Sequence, residues 1–267
     1  MSDVAPSPPT LVSLPRHLGR PDFQEISKEV LVAADPFIGD ASLPFLRQGL
    51  QEAGPSMLKV LGSVRTGPLQ NTLPTEIPIV VNDSSASLPT HMMAIYGPPP
   101  QNPSAEKRKI TLYPVHSTVL AAYCAKLPAF RPTSDAVMSA TPEHIVREVT
   151  IPVRPICLPS PQTYPQLSSF LYTKRTDALL ASMMPCLPPQ SLANQSEIIT
   201  FATRLAGTYT IHALLQHAMT VHGLWGNVCA LGIFDDALWD TIDLAWQVLL
   251  TAIAIGTGNP QDMISSA

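Results

Sequence analysis

The stretch YPVHSTVLAAYCAKLPAF, residues 113–130, decides how the rest of the chain is read. It sets His116 beside Ser117 and places Cys124 eight residues further on. Two readings compete: the start of a nucleophilic site, or a strand running into a core helix. Adjacent side chains at the end of a strand point to opposite faces, so this imidazole and hydroxyl are badly placed to share a proton. Cys124 has apolar neighbours, and Lys126 is the one nearby group that could depress its thiol. Ile110, Leu112 and Val115 fall close to a period of two, whereas Val119, Leu120, Tyr123 and Leu127 follow helical spacing. A strand therefore hands over to a helix, with Ser117 as the expected N-cap and Pro128 and Pro132 as the stop.

The neighbouring segments extend this pattern. HMMAIYG, residues 91–97, and KITLYPVHS, residues 109–117, flank a proline-rich loop and predict a β-hairpin. REVTIPVRPICLPSP, residues 147–161, alternates Val149, Ile151 and Val153 and predicts another strand. Its Pro152 and Pro155 place that strand at a sheet edge, where missing donors matter least. A helical face of Tyr164, Leu167, Phe170 and Leu171 follows, with Ser160 or Thr163 as cap. Three more helices are expected: SEIITFATRLAG ending at Gly207, YTIHALLQHAMTVHG ending at Gly223, and DDALWDTIDLAWQVLLTAIAIG capped by Asp235 or Asp236. A small sheet followed by a run of helices reads as α+β.

Towards the N-terminus the signals weaken. Residues 1 to about 20 are Pro/Ser-rich and read as unstructured. FQEISKEVLVAAD and LPFLRQGLQEAG each predict a short helix, and IPIVV an isolated strand. The expected organisation is a Pro-rich, partly disordered extension at 1–88, a core domain at 89–190, a helical part at 191–258 and a disordered tail at 259–267.

Composition narrows the function classes. Prolines number 29 in 267 residues, against a usual share of about 5%. Charged residues are 13%, and 16 Lys and Arg with a net charge of −4 argue against direct nucleic-acid binding. KRK at residues 107–109 reads as a solvated loop or a short nuclear import signal. Four cysteines without a C-x-x-C pair, behind an N-terminus lacking a signal-peptide pattern, suggest an intracellular protein with reduced thiols. The longest apolar stretch, from Leu244, is about 13 residues where a span needs roughly 20, so no membrane helix is expected.

A search for chemistry finds no G-x-S-x-G, no Walker A run and no G-x-G-x-x-G. His212, His217 and His222 are five residues apart, about 140° around a helix, and cannot converge on one ion. Trp225, Trp239 and Trp246 sit at helical positions and read as core anchors rather than a ligand cage. No catalytic residue, cofactor site or metal site is assigned.

The order of elements, with PVHSTVLAAYCAKLPAF and then SPQTYPQLSSFLYTKR, resembles the BTB/POZ fold. The positions carrying it include His116, Ser117, Leu120, Tyr164, Leu171 and Tyr172, which the resemblance makes fold-defining rather than catalytic. Together with LWGNVCALGIFDDALWDTIDLAWQVLLTAI, these segments also resemble the clampless family of mushroom-forming and related fungi, over residues 90–255. The N-terminal third offers no counterpart in that resemblance. It implies a non-enzymatic, intracellular, nuclear or nucleo-cytoplasmic regulator of sexual development. Such a regulator acts downstream of mating-type factors in clamp-cell formation and dikaryon growth. Implied partners are other proteins, among them transcriptional regulators of the mating-type pathway. Two departures from the BTB pattern weigh against homodimerisation through the N-terminal helix: no acidic residue opens the strand at THMMAIYG, and the loops are long and proline-rich. The alternatives are a substrate adaptor for a cullin-type ubiquitin ligase and a small hydrolase using Cys124 or Ser117.

Overall fold

Short polar caps start the first helices. The computed structural model describes residues 14–68, 72–99, 109–130 and 147–259. Helix α1 (Lys28–Ala34) begins where the Ser27 hydroxyl accepts from the Val30 N–H. Helix α2 (Leu43–Gly62) is capped in the same way by Ser42. The sequence reading stops α2 at Gly54, yet the helix continues through Pro55 for two more turns. Tertiary contact overrides the local stop, because Met57, Val60 and Leu61 beyond it are buried. Gly54 is instead a point of close approach: a Cβ there would lie 2.0 Å from the Tyr172 carbonyl oxygen.

The expected N-terminal extension in fact supplies part of the sheet. Strands β1 (Val64–Thr66), β2 (Glu76–Val81), β3 (His91–Tyr96), β4 (Ile110–Val115) and β5 (Arg147–Cys157) lie in the order β1-β2-β5-β3-β4. The apolar run at residues 77–81, expected to stand alone, belongs to β2, which pairs antiparallel with β5 from Glu76↔Pro152 to Val81↔Arg147. The predicted β3–β4 hairpin is present, running from His91↔Val115 to Tyr96↔Ile110. The basic run at residues 107–109 lies outside the described residues except for Lys109.

β5 is the central strand, not an edge. Its two prolines are tolerated for a reason close to the expected one. Residues 147–152 pair only with β2, and residues 153–157 only with β3, in parallel. Apart from Val153, whose N–H donates to the Thr75 carbonyl at 2.8 Å, each half of the strand is thus bonded on one side. β3 is buried on both faces: Met93 and Ile95 join the main core, while Met92 and Ala94 join a smaller one with Ile77, Ile79, Val81, Ile151 and Val153.

Helix α3 (Ser117–Tyr123) follows the hairpin, and α4 (Tyr164–Thr173) and α5 (Thr176–Met183) follow β5. The C-terminal helices are α6 (Gln195–Thr208), α7 (Ile211–Leu231) and α8 (Asp236–Gly256). Neither Gly207 nor Gly223 ends a helix. α7 stops at Gly232, whose φ of 66° suits a residue without Cβ. Gly223 serves packing, since a Cβ there would meet the Ser160 hydroxyl at 2.4 Å. α8 is longer than the apolar stretch anticipated and is apolar enough over 21 residues to qualify as a span by length and composition. It packs against α5, α6 and α7, with Trp239, Ile242, Trp246 and Leu249 buried, as a core helix does. One buried cluster runs from Leu18 to Ala252, across the expected boundaries at residues 88 and 190. The fold is mixed α and β, with five strands and eight α-helices among the described residues.

Candidate interaction surface

His116 ends β4 and occupies the N-cap position of α3, where it is 1% exposed. Its Nε2 lies 2.8 Å from the Ser87 carbonyl oxygen, which only accepts, so Nε2 carries the proton. Nδ1 then accepts from the Tyr172 hydroxyl at 3.1 Å, and that hydroxyl oxygen accepts from the His116 backbone N–H at 3.0 Å. Both ring nitrogens are used, and burial holds the imidazole pKa below its ordinary value. The residue joins the β2–β3 loop, the start of α3 and the end of α4.

Ser117 is not the cap. Its hydroxyl accepts from Thr90 Oγ1 at 3.0 Å and donates to the Ala34 carbonyl at 3.2 Å, tying α1 to the sheet. Leu120, Tyr164, Leu171 and Tyr172 are all buried in the main core, and the Tyr164 ring lies 5.0 Å from that of Tyr113. Cys124 is fully buried, and desolvation pushes its thiol up to about 12, far from a ready thiolate. The three spaced histidines diverge. His212 meets Gln216, His217 Nδ1 faces the Met183 carbonyl at 3.0 Å, and His222 stacks 4.9 Å from Trp225. No group of three or more potential metal ligands forms among the described residues.

Two buried polar joints escaped the sequence reading. Asn227 on α7 accepts the Ser160 N–H at 3.0 Å and donates to Ser160 O and Thr163 Oγ1, anchoring the turn before α4. Lys174, in a left-handed conformation at φ 54°, ends α4. Its ammonium lies 3.0 Å from Asp235, the α8 cap, and 3.2 Å from the centre of the Tyr123 ring. Desolvation lowers its pKa, opposed by Asp235. An asparagine or lysine in a helical run carries no local mark of such a role.

The surface holds a further site. Residues 14–20, expected to be unstructured, form an arm without helix or strand, bent at Arg16 and His17, laid across α7 and α8. Trp246 Nε1 donates to the Pro15 carbonyl at 3.1 Å, and Trp225 Nε1 to the Gly19 carbonyl at 2.7 Å. Leu18 between them is buried. The Arg20 guanidinium reaches Asp240 at 3.0 Å and Asp243 at 2.6 Å, and sits 5.6 Å from the Trp239 ring centre. Phe23 then meets Phe234 edge-on at 5.1 Å. Trp239 and Trp246 are core anchors as expected, but the chain's three tryptophans also line this groove. Beside it, a cleft of about 670 Å³ opens between α5 and α8, with Arg175, Asp177, Leu180, Asp240 and Leu244 among its walls. Phe37 and Phe45, 97% and 70% exposed, stand on a separate face near the start of α2.

Comparison with known proteins finds two matched segments. Residues 21–159 match the Clampless protein 1 N-terminal domain, and residues 177–267 match the Clampless protein 1 C-terminal domain. Most of the N-terminal third thus has a family counterpart, and residues 160–176, which include α4, lie between the two matched segments. The curated relatives include Clampless protein 1 from two strains of Cryptococcus neoformans var. neoformans serotype D, each 26% identical over 104 residues. That alignment covers 39% of this chain and only 21% of each relative, about a fifth of its length. No solved structure matches the chain.

Proposed function

This chain belongs to the clampless family, and from that membership we propose that it is a non-enzymatic protein-interaction regulator of clamp-cell formation and dikaryon growth in fungal mating cells. The name of its Cryptococcus relatives supports the developmental half of this reading. The interaction half is carried by His116. The imidazole that would be the natural base of a hydrolytic site is buried, neutral and bonded at both nitrogens to structural partners.

The order of elements supports a BTB/POZ-like core for the sheet half. The β3–β4 hairpin is followed by α3, then by a strand parallel to β3, then by α4. Cores of that kind present surfaces to other proteins, and the partners we propose are transcriptional regulators of the mating-type pathway.

Disruption of the coding sequence in its fungus, scored for clamp cells after mating, tests the reading. Loss of clamps is expected, with rescue by the intact chain and equally by Cys124→Ser and Ser117→Ala forms at matched protein levels. Normal clamps in the disruptant would refute the developmental role. Failure of either stable variant to rescue would refute the non-enzymatic one.

A further inference from the structure

The contacts that hold residues 14–23 are those by which a groove reads a peptide that forms no helix or strand. Two indole N–H groups take backbone carbonyls four residues apart, at Pro15 and Gly19, on either side of a bend at Arg16 and His17, and so read the course of the main chain rather than particular side chains. Leu18 and Arg20 are among the side chains held closely. Leu18 is buried between the indoles, and Arg20 is held by two carboxylates over an aromatic face. The receptor half, with Trp225, Trp239, Asp240, Asp243 and Trp246, lies within the C-terminal family segment, whereas residues 14–20 precede both segments.

We propose that the α7–α8 groove is a docking site for a partner segment carrying a leucine two residues before an arginine, and that residues 14–23 of this chain are a strap occupying it in cis. This deepens the partner-binding reading above and rests on it only for biological meaning. The strap is suited to release. Its ion pairs are exposed, with Arg20 42%, Asp240 73% and Asp243 42% accessible, so each is weak in water. It forms no helix or strand of its own. Being tethered, it needs little affinity to keep the groove closed, because a short tether gives an effective concentration of roughly millimolar. A partner segment with better complementarity, or one presented at high local concentration, displaces it.

The test uses the full chain and a fluorescein-labelled peptide of residues 12–24, titrated by anisotropy. Against the unmodified chain, binding is expected to be weak. In the Leu18→Ala/Arg20→Ala chain, whose own strap is loosened, affinity for the added peptide is expected to rise at least tenfold. Adding Asp240→Asn and Asp243→Asn to that chain should reverse most of the gain, and a peptide carrying Arg20→Glu should not bind. Because Leu18 is a core residue, Arg20→Ala alone serves as a milder variant, with a several-fold rise expected. Equal affinity for the unmodified and strap-weakened chains, both melting cooperatively, would overturn the proposal. So would a stable dimer of the unmodified chain by light scattering that is lost in the strap-weakened chain, since the arm would then be exchanged between copies rather than held in cis. Since this is a binding measurement on purified protein, its failure leaves the clamp-cell experiment standing.

Discussion

Replacing His116 with alanine separates scaffold from chemistry. The substitution removes a 1% exposed imidazole with two side-chain hydrogen bonds, one to the Ser87 carbonyl and one from the Tyr172 hydroxyl. Each bond contributes about 1 kcal/mol net, and leaving buried partners unmade raises the penalty to about 3 kcal/mol in total. For a chain of this size that lowers the melting temperature by about 6–12 °C. A pH series sharpens the test. Burial depresses the folded-state pKa of His116 below 6.5, so the unfolded chain binds a proton the folded chain resists. Stability contributed by the neutral ring is therefore present at pH 7.5. It declines as pH falls below about 6.5, by at most about 1.4 kcal/mol per pH unit, until the folded ring also protonates. Thermal melts of both proteins from pH 7.5 to 5 should show the gap between them narrowing. An unchanged melting temperature with lost clamp rescue would refute the scaffold assignment, and a gap independent of pH would refute the buried neutral ring.

Two further outcomes follow from packing. Gly54→Ala drives a methyl into the Tyr172 carbonyl and should destabilise by about 2–3 kcal/mol, while Gly49→Ala, in open space on the same helix, should be neutral or stabilise by up to about 1 kcal/mol; denaturant titrations compare them. A thiol reagent at neutral pH should label exposed Cys157 first and reach buried Cys124 only in denaturant, and rapid labelling of Cys124 in the folded chain would contradict its placement.

Much of the element pattern was legible because it is local. The β3–β4 hairpin, the handover at His116, and helices α4 and α6–α8 rest on periods of two and 3.6 that neighbouring residues reveal. The BTB/POZ resemblance made His116 fold-defining, and the structure places it in a buried setting with both ring nitrogens bonded. The local signals misled wherever a distant surface intervened. Gly54, Gly207 and Gly223 looked like helix ends, yet each lies within a helix, and at Gly54 and Gly223 the missing Cβ admits another element.

What the sequence by itself determined is most of the elements, β1 and the separate α5 excepted, and the absence of familiar catalytic motifs, because both depend on residues within a turn or two of one another. Only the tertiary structure decided that β2 completes the sheet, with Ile77 opposite Ile151, and that β5 lies at its centre. It alone brought Pro15 to Trp246 and Gly19 to Trp225, separated by 231 and 206 positions in the chain. Strand partners and docked arms are chosen by complementary surfaces that exist only after the chain has closed on itself, so no local periodicity announces them.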